Sequence, residues 1–281
     1  MTEFNMKWNP FICPNDSLPI QPFGGSLRCE KGHTFDLARE GYCNLLLVQH
    51  KASSDPGDSV EMVMARRRFL EAGFYQPLAE KVFSICSGFA QHKNNFRILD
   101  AGSGEGYYLR QIHSKNSTYE LIGIDISKPA VKAAAKKTPE ISWAVASNKQ
   151  LPLAPGSVDL ILCMFGFPVW NSFSKVLKSG DHVVLVDAGE NHLFELREII
   201  YPTVSKSGPP SVRAAQDFGY ELIHEESLKF SIHLNAAEQI KDLLAMTPHA
   251  HRMTEDGAKK LALVSELKLT VDLAIRVLLS K

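Results

Sequence analysis

The chain has no apolar run near the ~20 residues that a bilayer-crossing helix needs, which excludes a membrane-spanning protein. Its first residues, MTEFNMKWNP, carry no basic start followed by an apolar core and predict no secretion signal. Net charge is also missing, because 31 Lys+Arg offset 31 Asp+Glu. No global field therefore draws in nucleic acid, and a phosphate-bearing partner has to meet a local basic patch. Cysteines are few and odd in number: five among 281 residues, at Cys13, Cys29, Cys43, Cys86 and Cys163. That argues against a disulfide framework and predicts a reducing, cytoplasmic setting. There is no internal repeat and no low-complexity run. What remains, 44% hydrophobic and 22% charged, is an ordinary globular composition with chain enough for one or two domains.

Residues 1–46 are rich in turn signals and hold three of the five cysteines, so they read as a small module that needs a metal or a host domain. Residues 47–95 read as a linker and helical lead-in. The segment 50–59, HKASSDPGDS, is polar around a Pro-Gly turn, and Asp58 with Glu61 predicts a capping box for a helix ending at Gly73. A second helix is expected after Pro77. From residue 96 to 281, short apolar strands alternate with helices: FRILDA, LIGIDI, ISWAVA, VDLILCMF and HVVLVDA predict five parallel strands. Period-two alternation at Leu228, Phe230, Ile232 and Leu234, and again from Leu267 to Val277, predicts an antiparallel pair closing the sheet. The expected fold is α/β, a Rossmann-like sheet of five parallel strands plus an antiparallel pair, with a small N-terminal zinc-ribbon-like module.

The first strand runs into Asp100-x-Gly102-x-Gly104-x-Gly106 and then a helix. Such glycines let backbone approach a ligand closely. Twenty-one residues past Gly104, Asp125 ends the next strand, where a carboxylate accepts both hydroxyls of a ribose. A dinucleotide turn would need its third glycine where this chain has Tyr107. The leading Asp100 and the Glu105-Gly106 step match instead the turn that binds S-adenosylmethionine, and the antiparallel ending agrees. In the first module, Cys13 with Asp16 and Cys29 with His33 have the spacing of two zinc knuckles in which Asp16 replaces a cysteine.

The sequence resembles the RlmA family of bacterial 23S rRNA guanine-N1 methyltransferases over nearly its whole length. The resemblance is carried by Cys13-Pro14, the block 29–36 (CEKGHTFD), Glu40-Gly41-Tyr42, Val48-Gln49-His50-Lys51 and the block 55–59 (DPGDS). Ala65-Arg66-Arg67, Tyr75-Gln76-Pro77-Leu78, the block 104–108 (GEGYY), His192-Leu193 and Met246-Thr247-Pro248 complete it. It implies a zinc-binding module for RNA recognition, a methyltransferase domain, and cofactor contacts from Tyr75, Gly104, Glu105 and His192 beside Asp125. The partner implied is 23S rRNA or a large-subunit precursor, and the assembly implied is a homodimer. Two places depart from the family pattern: Asp16, and Phe165-Gly166-Phe167-Pro168 where the family shows a Tyr-(Ala/Ser)-Pro stretch.

Guanine N1 is a weak acid, so a base would assist its methylation. Asp187, His249 and His251 are candidates, although each taken singly reads as a surface or capping side chain. Phe165, Phe167 and Trp170 are candidate platforms for an unstacked base, with core packing as the plainer reading. Lys51 with Arg66 or Arg67 is a candidate phosphate contact, and Arg66-Arg67-Arg68 reads equally as a solvated helix face. Two other functions stay open: a small-molecule methyltransferase, and a catalytically inert RNA-binding relative.

Overall fold

A computed structural model describes residues 9–47, 56–91 and 93–281. Most of the segment 50–59 and Lys51 lie outside the described residues. The N-terminal residues form a meander of β1 (Ile20–Phe23), β2 (Ser26–Cys29) and β3 (Thr34–Asp36). Then comes β4 (Tyr42–Asn44), which leaves the meander and pairs parallel with β7 (Ser142–Val145).

The main sheet also contains β5 (Arg97–Ala101), β6 (Glu120–Asp125), β8 (Leu160–Met164), β9 (His182–Ala188), β10 (Tyr220–Leu234) and β11 (Leu267–Ser280). Its order is β10-β11-β9-β8-β5-β6-β7-β4. The five expected parallel strands are present, and β11 and β10 close the edge by antiparallel pairing. The sixth parallel strand, β4, was not expected. Chain direction across the sheet reverses beside β5, whose neighbours are β6 and β8, and a crevice at such a switch point is where open α/β sheets bind ligands.

Residues along each parallel strand alternate between two cores. Ile98, Leu160 and Leu162 pack with Phe69, Leu78, Leu109 and Trp143 on one face. Leu99, Ile161 and Val183 pack on the other with Phe11, Ile20, Leu27 and Leu45 of the N-terminal segment. Residues 9–46 therefore share a core with the sheet. An antiparallel bridge between Phe11 and Leu153, and hydrogen bonds from Ile12 N–H to Pro152 C=O (2.9 Å) and Gln150 Nε2 to Pro14 C=O (3.1 Å), tie them down. A three-strand meander too small to bury its own apolar residues gains a core this way.

Helices α1 (Val60–Glu71) and α2 (Gln76–Ala90) lie between β4 and β5 in the chain. The cap of α1 is Ser59, whose Oγ accepts from Met62 N–H at 3.3 Å; Asp58 pairs instead with Arg66. Gly73 follows the helix in the left-handed region, as expected of a terminator. Helices α3 (Tyr107–Lys115) and α4 (Lys128–Lys137) follow β5 and β6. Further along come α5 (Trp170–Val176), α6 (Phe194–Ile200), α7 (Ala237–Ala245) and α8 (Glu255–Leu261). No helix among the described residues is long and apolar enough to cross a membrane.

One packing detail supports the glycine turn from below. Trp143, fully buried on β7, lies against Gly123 of the neighbouring strand and reaches under Gly106, while its Nε1–H donates to Thr138 C=O at 2.8 Å. A Cβ on Gly123 would fall 2.0 Å from the Trp143 ring, and one on Gly106 2.4 Å from it. Gly123→Ala is expected to cost about 1–3 kcal/mol through overpacking, read as a melting midpoint lowered by several degrees.

Candidate cofactor and metal sites

At the switch point β5 runs into a turn holding Gly102, Gly104 and Gly106, all with positive φ. The N–H groups of Gly102 and Ser103 donate to Ile124 C=O at 2.8 and 3.0 Å, which docks the turn against β6. Asp125 locks it: one carboxylate oxygen accepts from Gly104 N–H (2.9 Å) and the other from Ser127 N–H (2.8 Å). Burial raises the Asp125 pKa while those two bonds oppose the rise. Each oxygen keeps a second lone pair, which is the acceptor pattern a ribose diol needs. Asn148 comes within 3.9 Å of the point where a Cβ on Gly102 would stand. Nothing in the sequence singled it out, and it adds an amide to this wall.

Asp100 is the telling residue. Its carboxyl group is buried, neither oxygen has a hydrogen-bond partner among the described residues, and burial, then repulsion from Asp125, pushes its pKa up to about 8. A buried carboxyl without a donor is costly to keep unless a ligand supplies one. A cationic amino group on a nucleoside cofactor is a donor of that kind, so the residues present fit S-adenosylmethionine. Glu105 is different. Its carboxylate is buried against Arg110, at 2.9 and 3.2 Å, which leaves only its backbone to face a ligand.

Tyr75 and His192, expected only from the resemblance, are brought together from positions 117 residues apart. Tyr75 Oη lies 3.5 Å from His192 Nε2, and both are buried. Burial, and secondarily His249, lowers the His192 pKa to about 4, so the ring is neutral. Phe165 joins them with ring centroids 6.3 Å from Tyr75 and 6.2 Å from His192, and Phe230 packs edge-on to Tyr75 at 6.1 Å. Phe165 and Leu193 are both held at positive φ, a strained conformation for bulky side chains that concentrates at ligand sites. Phe167, two residues after Phe165, stands 87% exposed. Trp170 does not belong here: it is buried against Phe173 and Tyr220 in the other core.

The metal candidates also converge. Cys13 and Asp16 sit on one tight turn, closed by Ser17 N–H to Cys13 C=O at 2.8 Å. Cys29 and His33 sit on another, closed by Gly32 N–H to Cys29 C=O at 2.9 Å. His33 Nδ1 lies 3.5 Å from Cys13 Sγ, 3.4 Å from Cys29 Sγ and 3.0 Å from Asp16 Oδ2. All four donor atoms fall within 4.8 Å of one another. A tetrahedral zinc ion with bonds of about 2.0–2.3 Å sets donor separations of about 3.3–3.8 Å, so the cluster has the right size. Asp16 Oδ1 is occupied by Leu18 N–H at 3.1 Å, which orients the carboxylate and leaves Oδ2 toward the cluster. Burial, then the Asp16 hydrogen bond, pushes the Cys13 thiol up to about 11, and a dication would reverse that. Cys43, Cys86 and Cys163 are buried elsewhere.

The arginine run splits three ways, as positions roughly 100° apart on a helix must. Arg66 pairs with Asp58, Arg67 with Glu71 at 3.3 Å and Arg68 with Asp242 at 2.5 Å. Arg66 also lies over the glycine turn, 3.4 Å from the Cβ position of Gly104. As phosphate contacts, Arg66 and Arg67 are thus already engaged within the chain. Asp187 is likewise taken, by buried Arg276 at 2.5 Å.

Residues 11–54 match the family model for the RlmA N-terminal zinc ribbon, and residues 98–185 match a methyltransferase domain. The chain is 31% identical over 255 residues to the 23S rRNA (guanine(748)-N(1))-methyltransferase of Streptomyces fradiae, covering 89% of each. It is 30% identical over 277 residues to YxjB of Bacillus subtilis (strain 168), named as a candidate 23S rRNA (guanine-N(1)-)-methyltransferase, covering 96% of this chain and 97% of that one. Both sites and both matches lead to one assignment: this chain belongs to the RlmA family of 23S rRNA (guanine-N1)-methyltransferases.

Proposed function

We propose that the chain methylates N1 of a guanine in a 23S rRNA hairpin, using S-adenosylmethionine. The observation that carries the cofactor half is the unpartnered Asp100 carboxyl beside a glycine turn locked by Asp125. Relatives spanning nearly the whole chain support the substrate half. When bound, the cofactor supplies an electrophilic methyl group on a sulfonium. Asp100 holds its amino group, Asp125 its ribose, Gly102 and Gly104 give it room, Glu105 contributes through its backbone, and Tyr75 and His192 wall off water. Phe165 and exposed Phe167 border the entrance at which an unstacked guanine would be received. The remaining parts of the reading are a cytoplasmic location, rRNA or a large-subunit precursor as partner, and a homodimer as assembly.

In this reading Cys13, Asp16, Cys29 and His33 hold one structural zinc, and the ribbon recognises RNA. Asp16→Cys is expected to slow zinc loss to a chelator by about tenfold, because a thiolate replaces a harder carboxylate oxygen. Metal content against chelator concentration checks this.

The acceptor is tested with labelled S-adenosylmethionine and 23S rRNA from a strain lacking the gene, beside 16S rRNA and a small-molecule extract. Label in 23S rRNA alone supports the reading; label only in small molecules contradicts it.

A further inference from the structure

Methylation at guanine N1 needs an acceptor for the N1 proton, and the structure narrows the choice. Asp187 is held by Arg276. Asp100 is buried and assigned above to the cofactor's amino group. His192 has its Nδ1 buried without a partner and its Nε2 against Tyr75. His251 ends an exposed turn.

His249 is placed differently. It belongs to the short 3-10 turn Pro248–His251, which follows α7. Just before that turn, Met246 C=O accepts from Arg66 Nη2 at 3.3 Å, and Arg66 itself lies over Gly104. The clasp draws the segment across the glycine turn. At His249, Nδ1 is 2.9 Å from Tyr201 Oη, with ring centroids 5.7 Å apart. His249 lies within electrostatic reach of His192, the partner of Tyr75, and helps to lower its pKa.

We propose that His249 is the general base that removes the guanine N1 proton, and that Tyr201 positions it by accepting Nδ1–H, leaving the Nε2 lone pair for the substrate. The inference rests on the rRNA guanine-N1 reading above. The N1–H bond breaks toward Nε2, and the pair left on N1 forms the new N–C bond to the methyl carbon. The C–S bonding pair stays on sulfur, and the imidazolium then gives its proton to water. The charged groups around His249 are Arg197 of α6 and Arg252 at the end of its own turn, with His192 within electrostatic reach and the Tyr201 hydroxyl beside it. Burial, then the two arginines, lowers its pKa below the ordinary 6.5, so the ring is neutral and able to accept a proton at neutral pH.

The test is single-turnover methyl transfer to 23S rRNA by the full chain, with cofactor and RNA affinities measured in parallel. His249→Gln is expected to slow transfer by about 10²–10⁴-fold with both affinities kept, to abolish the acid limb of the pH–rate profile, and to be partly rescued by added imidazole. Tyr201→Phe is expected to slow transfer by about tenfold and shift that limb, a pH signature that a merely structural role would not produce. A His249→Gln rate within about threefold of wild type, or a loss matched by lost RNA affinity, overturns the assignment. Wild-type protein that transfers no methyl to rRNA would overturn the guanine-N1 reading instead.

Discussion

Asp125→Ala is expected to weaken S-adenosylmethionine binding by about 10²-fold in calorimetry, because hydrogen bonds to a charged acceptor contribute about 1.5–3 kcal/mol each. The effect has two sources. The carboxylate is the acceptor for the ribose, and it also receives Gly104 N–H and Ser127 N–H, so its loss frees the turn it organises. Asp125→Asn separates them. The amide keeps one carbonyl acceptor and the shape, and should recover part of the affinity. A Kd for the alanine variant equal to wild type would remove Asp125 from the site.

The second large effect has opposite signs in the free and bound protein. The Asp100 carboxyl is buried and its pKa is raised to about 8, well above the 3.8 of an ordinary aspartate. A group whose pKa rises on folding favours the folded state fully below its unfolded pKa. That contribution is lost as pH climbs through the folded value, here between about 4 and 8. Ligand-free protein should therefore melt at a lower temperature at pH 8 than near pH 5 so far as this group is concerned. Asp100→Asn removes the buried charge and should stabilise the ligand-free protein at the alkaline end by about 1–2 kcal/mol. The same change removes the counter-charge for the cofactor's amino group and should weaken cofactor binding by at least about tenfold, 1.4 kcal/mol. A variant that loses both stability and affinity would mean that Asp100 is satisfied within the protein. Thermal melts across pH, with and without cofactor, read both signs in one experiment.

Much of this arrangement is legible in the sequence, and the reason is locality. The glycine turn, Asp100 and Asp125 belong to one β5–α3–β6 unit, where spacing alone places a carboxylate beside the turn. The metal donors lie on two short turns whose residue types declare them. Pairs separated by long stretches of chain were not legible from the residues themselves. Tyr75 and His192 were named through family likeness alone, and their contact depends on α2 and the loop after β9 packing on one core. The clasp of Arg66 on Met246 spans 180 residues, and Tyr201 meets His249 across 48. No periodicity announces such contacts.

Other differences arise from tertiary packing overriding local preference. Asp58 is a good cap by composition, yet Arg66 claims its carboxylate and Ser59 caps the helix. The strand β4 is three residues in a turn-rich segment, too short to signal itself, and it forms because β7 offers an unpaired edge. The Glu105 carboxylate meets Arg110 five residues along the chain, a local pairing that leaves its backbone for the proposed cofactor contact.

The atom that receives the methyl group decides what this protein does. Mass spectrometry of nuclease fragments from 23S rRNA lacking the modification, incubated with this protein and labelled S-adenosylmethionine, measures it directly. Label on N1 of one hairpin guanine is expected, and far less of it with Asp125→Ala at limiting cofactor. Label on another atom or nucleotide, or none while the cofactor binds, would contradict it.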